Sequence, residues 1–68
     1  MNIRYFRDTD TLSIRLNDKP SLESEEIADN VVIDFDAEGK VVGIEIDHAS
    51  SKVDLQHFEL SGFQVPVM

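Results

Sequence analysis

Residues 31–47 read VVIDFDAEGKVVGIEID, and the fold turns on whether this stretch coils or pleats. Its side-chain types fit a calcium-binding loop that starts at Asp34. Carboxylates stand at Asp34, Asp36 and Glu38, Gly39 follows, and Glu45 falls where the loop needs its last ligand. Only Glu38 departs from the preferred Asp or Asn. The hydrophobic pattern says otherwise. Val31, Ile33 and Phe35 form one apolar row, Val42, Ile44 and Ile46 form another, and Asp36-Ala37-Glu38-Gly39-Lys40 lies between them as a turn. A calcium loop needs helices on both sides. Here the flanks are Val31-Val32-Ile33 and Ile44-Glu45-Ile46, whose β-branched side chains favour a pleated backbone. The stretch predicts a β-hairpin, with Gly39 free to take positive φ.

On such a hairpin Asp34, Asp36, Glu45 and Asp47 share the face opposite the apolar rows, and Glu38 sits at the turn. The spacing of a calcium loop then follows from alternation. No dedicated metal site or cofactor is expected. Asp34, Asp36, Glu38 and Glu45 are the candidates for weak divalent-metal binding, and Asp34, Asp36, Glu45 and Asp47 for contact with a protein partner. The turn also raises a question of register. A type I turn at Asp36–Gly39 with a bulge would pair Asp34 with Val42. The side chains call for Phe35 opposite Val42, because a slip of one residue flips every side chain. An even-length loop, or a second bulge at Val41-Val42, would reconcile the two.

A second hairpin precedes this one. Ile3 and Tyr5, then Leu12, Ile14 and Leu16, alternate with polar residues around the turn Arg7–Thr11. The two hairpins correspond at an offset of 30: Ile3 with Ile33, Tyr5 with Phe35, Leu12 with Val42, Ile14 with Ile44, Leu16 with Ile46. Four strands therefore share one apolar face. Residues 18–30, DKPSLESEEIADN, predict a loop and then a short edge strand near 23–27, whose charges discourage edge-to-edge pairing. Ser51-Lys52-Val53-Asp54 fits a capping box and Gly62 a helix stop, so a short helix is expected over about 51–59, with Val53, Leu55 and Phe58 on the sheet. The tail GFQVPVM is apolar and needs cover. The expected architecture is a single small domain over residues 1–68, mainly β (α+β), with an antiparallel sheet of four to five strands and one short C-terminal helix. Its expected core is Ile3, Tyr5, Leu12, Ile14, Leu16, Val31, Ile33, Phe35, Val42, Ile44, Ile46, Leu55 and Phe58.

Sixty-eight residues without cysteine can hold no disulfide, and so short a chain buries only about 60% of its unfolded surface. Self-association is the simplest remedy, so a homodimer is expected. The absence of cysteine and of an apolar leader fits a cytoplasmic chain. No run of apolar residues is long enough for a membrane helix. The formal net charge is −8. It is uneven: four cations against three acids in residues 1–20, but two cations against eleven acids in residues 21–60. Nucleic acid and anionic membranes repel such a surface, whereas a basic protein is attracted. Arg4 and Arg15 fall on the outward face of the first hairpin and acids on that of the second, which favours an internally salt-bridged sheet or a head-to-tail contact.

Catalytic constellations are weak. His48 and His57, with Asp47 and Asp54, form a metal set only if the fold gathers them, since nine residues is not a helical spacing. Ser50 and Ser51 lie near His48 with no oxyanion motif and suit turns better. Tyr5 and Phe6 between Arg4 and Arg7 have the composition of a base-stacking platform, but Tyr5 reads as core. No catalytic residue is expected.

Several runs together resemble domain-of-unknown-function family 2283, a family of small bacterial and archaeal domains. They are Tyr5, the turn acids Asp8 and Asp10, Leu12-Ser13-Ile14-Arg15-Leu16, Glu25-Glu26-Ile27, Val32-Ile33-Asp34-Phe35-Asp36 with Gly39, and Val42-Gly43-Ile44-Glu45-Ile46. The resemblance covers roughly residues 3–50, with 51–68 as an extension. It implies no activity and no catalytic residues. For some relatives it implies a neighbouring gene for a small toxin-like protein. The function expected is a small acidic, non-enzymatic binding or assembly module, with two alternatives: an antitoxin-like inhibitor of a basic protein, or a weak divalent-metal module.

Overall fold

Period-two alternation sets the architecture. In the computed structural model, which describes residues 1–64, five strands form one antiparallel sheet. They are β1 (Asn2–Phe6), β2 (Thr11–Arg15), β3 (Glu23–Ala28), β4 (Val31–Phe35) and β5 (Val41–Asp47), in the spatial order β1-β2-β5-β4-β3. The mainly β, antiparallel sheet read from the sequence is present. Its edge strand β3 lies where a short strand was expected, with a bulge between Glu26 and Ala28.

The two hairpins meet along β2 and β5. Ile14 stands opposite Ile44, and Leu12 opposite Ile46. The Leu16 N–H donates to the Val42 carbonyl at 2.9 Å, extending the same ladder. Under the offset of 30 this pairing maps onto itself, because Leu12 corresponds to Val42 and Leu16 to Ile46. Ile3 opposite Ile14 and Ile33 opposite Ile44 are counterparts in the same way. The sequence repeat is therefore a pseudo-twofold axis through the Ile14–Ile44 pair. β1 is the counterpart of β4. The symmetry ends there: β4 carries β3 on its outer side, whereas β1 has no outer neighbour among the described residues.

The second turn answers the question of register. The Asp36 N–H donates to the Lys40 carbonyl at 2.9 Å, the Gly39 N–H donates to the Asp36 carbonyl at 3.0 Å, and Gly39 has φ of 82°. This is a three-residue loop closed by a left-handed glycine. Carried on unbroken it would set Asp34 against Val42. Instead Phe35 pairs with Val41 and Asp34 with Gly43, leaving Val42 as the extra residue of a bulge. Phe35 thus does not pair with Val42 one to one, but the bulge at Val41-Val42 keeps Ile44 and Ile46 on the apolar face. Val42 itself has no exposed surface.

The apolar face is one layer with partial cover. Its rows run Tyr5, Leu12, Ile46, Val31 and Ile3, Ile14, Ile44, Ile33 across four strands. At β3 the first row ends at Ala28, opposite Val31, and the second at the Glu25 carboxylate, opposite Ile33; Glu23 likewise stands opposite Phe35. Most members of the expected core are half-buried. Among the described residues Val42 and Ala49 are the fully buried apolar side chains, while Ile3, Tyr5 and Phe58 remain 46%, 40% and 70% exposed. The expected helix over 51–59 is not formed. A 3-10 turn spans Ala49–Ser51, and the chain beyond it is irregular. The Ser51 hydroxyl donates to the His48 carbonyl, and the Asp54 carboxylate accepts from the Gln56 N–H, so both residues of the supposed capping box close local turns. A stripe of three apolar residues is too short to offset helix nucleation. The fold is thus β without an α-helix among the described residues, so no helix there is long and apolar enough to cross a membrane. Residues 65–68 of the apolar tail lie outside the described residues.

The bulge makes Val42 the best-buried large side chain. Val42→Ala is expected to lower unfolding free energy by about 1–3 kcal/mol, by lost burial plus a residual cavity. Val41→Ala at the more exposed bulge position is expected to change it by less than half as much. Chemical denaturation of the two variants checks this.

Candidate functional site

The outward face of the sheet carries the charges. Its rows run Arg4, Ser13, Glu45, Val32, Glu26 and Asn2, Arg15, Gly43, Asp34, Ser24. Arginines thus lie over β1 and β2, and carboxylates over β3, β4 and β5. The two sets do not neutralise one another. Arg4 lies over the Phe6 ring, 5.2 Å from its centroid. The Arg15 guanidinium donates to the Lys19 carbonyl at 3.0 Å and so ties down the 17–20 loop. The one ion pair among the described residues is Lys19–Glu38 at 3.3 Å, with both side chains more than half exposed. The internally salt-bridged sheet is therefore not formed.

Three of the four candidate metal ligands have separate tasks, and the fourth, Glu45, stands exposed. Asp34 accepts the Ser24 hydroxyl at 2.6 Å and lies against the Gly43 backbone, where an added Cβ would sit 3.3 Å from its Oδ2. Asp36 does not share the solvated face with Asp34 and Glu45. It is 6% exposed, and its Oδ1 accepts the Glu38 and Lys40 N–H groups at 2.9 Å each. The Lys40 N–H, and after it that of Glu38, holds the Asp36 carboxyl below the usual carboxylate range, against the opposing effect of burial. The carboxylate closes the turn that the bulge then corrects. Glu38 reaches sideways to Lys19, and Glu45 is exposed between Ser13 and Val32. Calcium requires oxygens within about 2.3–2.6 Å of one point. Among the described residues no three His, Asp or Glu side chains gather in that way, and this includes His48, His57, Asp47 and Asp54. Asp47 instead accepts the Thr11 hydroxyl at 2.9 Å.

The densest polar cluster was not legible as one in the sequence. Asp10, with φ of 54°, takes the Tyr5 hydroxyl on Oδ1 at 2.6 Å and the Ser50 hydroxyl on Oδ2 at 2.6 Å. The Ser50 N–H also reaches Oδ1 at 3.0 Å, and the Asp10 carbonyl accepts the Ala49 N–H at 2.9 Å. This clamp fastens the end of β5 and the following turn to the β1-β2 turn, forty residues away, and seats Ala49 in the interior. The Ser50 hydroxyl is the largest cause holding the Asp10 carboxyl below its ordinary range, followed by the Tyr5 hydroxyl, and the same bond raises the Tyr5 pKa. The chemistry is structural. A carboxylate made more acidic is a poor general base, and the Ser50 proton is committed to it. The only sequence signal was the pairing of a turn Asp with a Ser far along the chain, which no local spacing marks.

A lowered folded-state pKa means stability that is complete above the unfolded value, near pH 4, and is lost as pH falls below it. The prediction is that Asp10→Asn unfolds more easily than the parent at pH 7, and that the difference narrows as both are acidified below about pH 4. Thermal unfolding across that range measures it. A gap that widens on acidification would contradict the clamp.

Comparison with known proteins places the sheet and the clamp together. The family described as protein of unknown function (DUF2283) matches residues 2–50, from the start of β1 to Ser50 in the clamp. No curated protein and no solved structure matches the chain. The match covers well over half of the sequence, and the chain belongs to the DUF2283 family.

Proposed function

We propose that the chain is a non-enzymatic assembly module that works as a self-associated dimer. The observation that carries this reading is surface. The chain exposes 5647 Å². Folded monomers of 7.7 kDa expose about 4,300 Å² by the usual scaling. Residues 65–68 contribute at most about 600 Å², their share of an unfolded chain. About 700 Å² of excess remains, close to the roughly 800 Å² that each partner gives to a standard interface. The apolar face supplies surface of the right kind, since β2 and β4 are only half-buried, as are Ile44 and Ile46 of β5, and β1 is exposed. Sedimentation equilibrium is expected to give twice the 7.7 kDa chain mass at micromolar concentration. A mass of one chain up to about millimolar concentration would contradict the reading, since an association weaker than that is worth less than about 4 kcal/mol.

A second reading draws on the outward face. Glu45, Asp47 and Asp34 lie over adjoining strands and have no ion-pair partner among the described residues, so their field is available to a basic protein. This supports an inhibitor of a basic partner, such as a toxin-like product of an adjacent gene. Asp36, buried in its turn, takes no part. Reversing Glu45 and Asp47 to Lys is expected to weaken capture of that product by about tenfold or more at low salt, and much less near 1 M salt. Equal capture by parent and variant at low salt would remove this reading.

A further inference from the structure

The two edges of the sheet are built differently. β3 is guarded: it reads ESEEIA, carries three glutamates, and is interrupted by a bulge between Glu26 and Ala28. Charges and bulges of this kind keep an edge from pairing. β1 reads NIRYF, with one charge and no bulge. The hydrogen-bonding direction along β1 follows from its neighbours. Leu16 bonds to Val42, so the even residues of β2 face β5 and the odd ones face β1. In β1, Asn2, Arg4 and Phe6 therefore bond inward. The N–H and C=O groups of Ile3 and Tyr5 point off the sheet, with no strand among the described residues to meet them.

Ile3 and Tyr5 are the pseudo-twofold counterparts of Ile33 and Phe35. Those are the β4 residues that pair with β3, through Glu25 and Glu23. One half of the repeat thus accepts an antiparallel strand where the other half is bare. Most of the exposed large apolar side chains gather at the bare edge, although Ile27 and Leu22 are exposed on and beside β3: Met1, Ile3, Phe58, Leu60 and Phe63 line one groove of ≈ 280 Å³ beside β1. Tyr5 and Phe6 are exposed on the same strand.

We infer that β1 is the dimer interface, pairing antiparallel with β1 of a second copy to make a continuous ten-stranded sheet. The inference rests on the assembly reading above and deepens it. A second copy fits better than a foreign strand for three reasons. A twofold axis through β1 closes the assembly, whereas any unlike pairing leaves another bare edge. The same axis joins the two grooves on one face, so each copy's exposed apolar cluster supplies cover for the other's. The ends of the ten-stranded sheet are then the two guarded β3 strands. A register centred on Arg4 would set two guanidinium groups opposite one another, so the axis falls at Ile3 or Tyr5.

Ile3→Pro tests this directly, with Ile3→Ala as its control. The Ile3 N–H takes no part in the β1-β2 ladder, so proline there removes an outward donor and blocks strand approach while sparing the hairpin. Sedimentation of both variants is expected to show a dimer dissociation constant raised about 100-fold or more by proline, against about tenfold or less by alanine, with the far-ultraviolet circular dichroism of each keeping its β signal. If Ile3→Pro remains as dimeric as Ile3→Ala, the interface lies elsewhere, for example on the β4-β5 part of the apolar face. The β1 inference then falls while the assembly reading stands. If the parent protein is itself monomeric, both fall. A Pro variant that loses its β signal is replaced by Arg4→Glu measured against Arg4→Gln. The opposite charge at the axis-flanking position should change the dimer constant in a salt-dependent way, and identical constants at low and high salt would overturn β1 pairing.

Discussion

Everything in this sheet depends on the pairing of β2 with β5 about Ile14 and Ile44. Each hairpin alone is a two-stranded ribbon, marginal in water. Joined, they form a four-stranded layer whose apolar rows run unbroken from Tyr5 to Val31 and from Ile3 to Ile33. The join works only if Ile44 and Ile46 keep the same face as Ile33. That condition puts the bulge at Val42, and Val42 is the one large side chain among the described residues wholly removed from solvent. The Asp10 clamp works at the same join from its end. It carries the chain beyond β5 back over the first turn, where the family match also stops.

Much of this was legible in the sequence because period-two alternation is a local signal. Both hairpins, the offset of 30 and the strand around residues 23–27 follow from it. Even the conflict at Gly39 was visible, since a left-handed glycine fixes the loop and the side chains fix the face. What escaped was nonlocal. Asp10 and Ser50 look like separate turn residues until the fold sets them 2.6 Å apart. Asp36 alternates with Asp34, which suggested the solvated face, but its strand ends at Phe35 and its carboxylate turns in to cap the loop. The C-terminal helix failed for a related reason. A capping box and a glycine mark where a helix starts and stops, but Val53, Leu55 and Phe58 offer too little stripe to hold one against the sheet.

The acids illustrate how spacing and chemistry part company. Their calcium-loop pattern is a by-product of alternation around an acidic turn. Once folded, Asp34, Asp36 and Glu38 have partners of their own, in Ser24, the turn amides and Lys19, while Glu45 stands exposed. What Asp34 and Glu45 keep in common is the outward field over one half of the sheet. The edges divide in a similar way, with carboxylates closing β3 and apolar side chains crowding β1. Both contrasts come from a twofold repeat to which β3 was added on one side only.

Amide hydrogen exchange, read residue by residue by nuclear magnetic resonance, tests that asymmetry most directly. Ser24 and Glu26 present their N–H groups on the guarded outer edge of β3 and serve as the internal standard for a bare strand. The account predicts that the Ile3 and Tyr5 amides exchange far more slowly than these at high protein concentration, and approach them on dilution. Exchange at Ile3 and Tyr5 as fast as at Ser24 and Glu26 at every concentration would contradict it, as would slow exchange that dilution leaves unchanged.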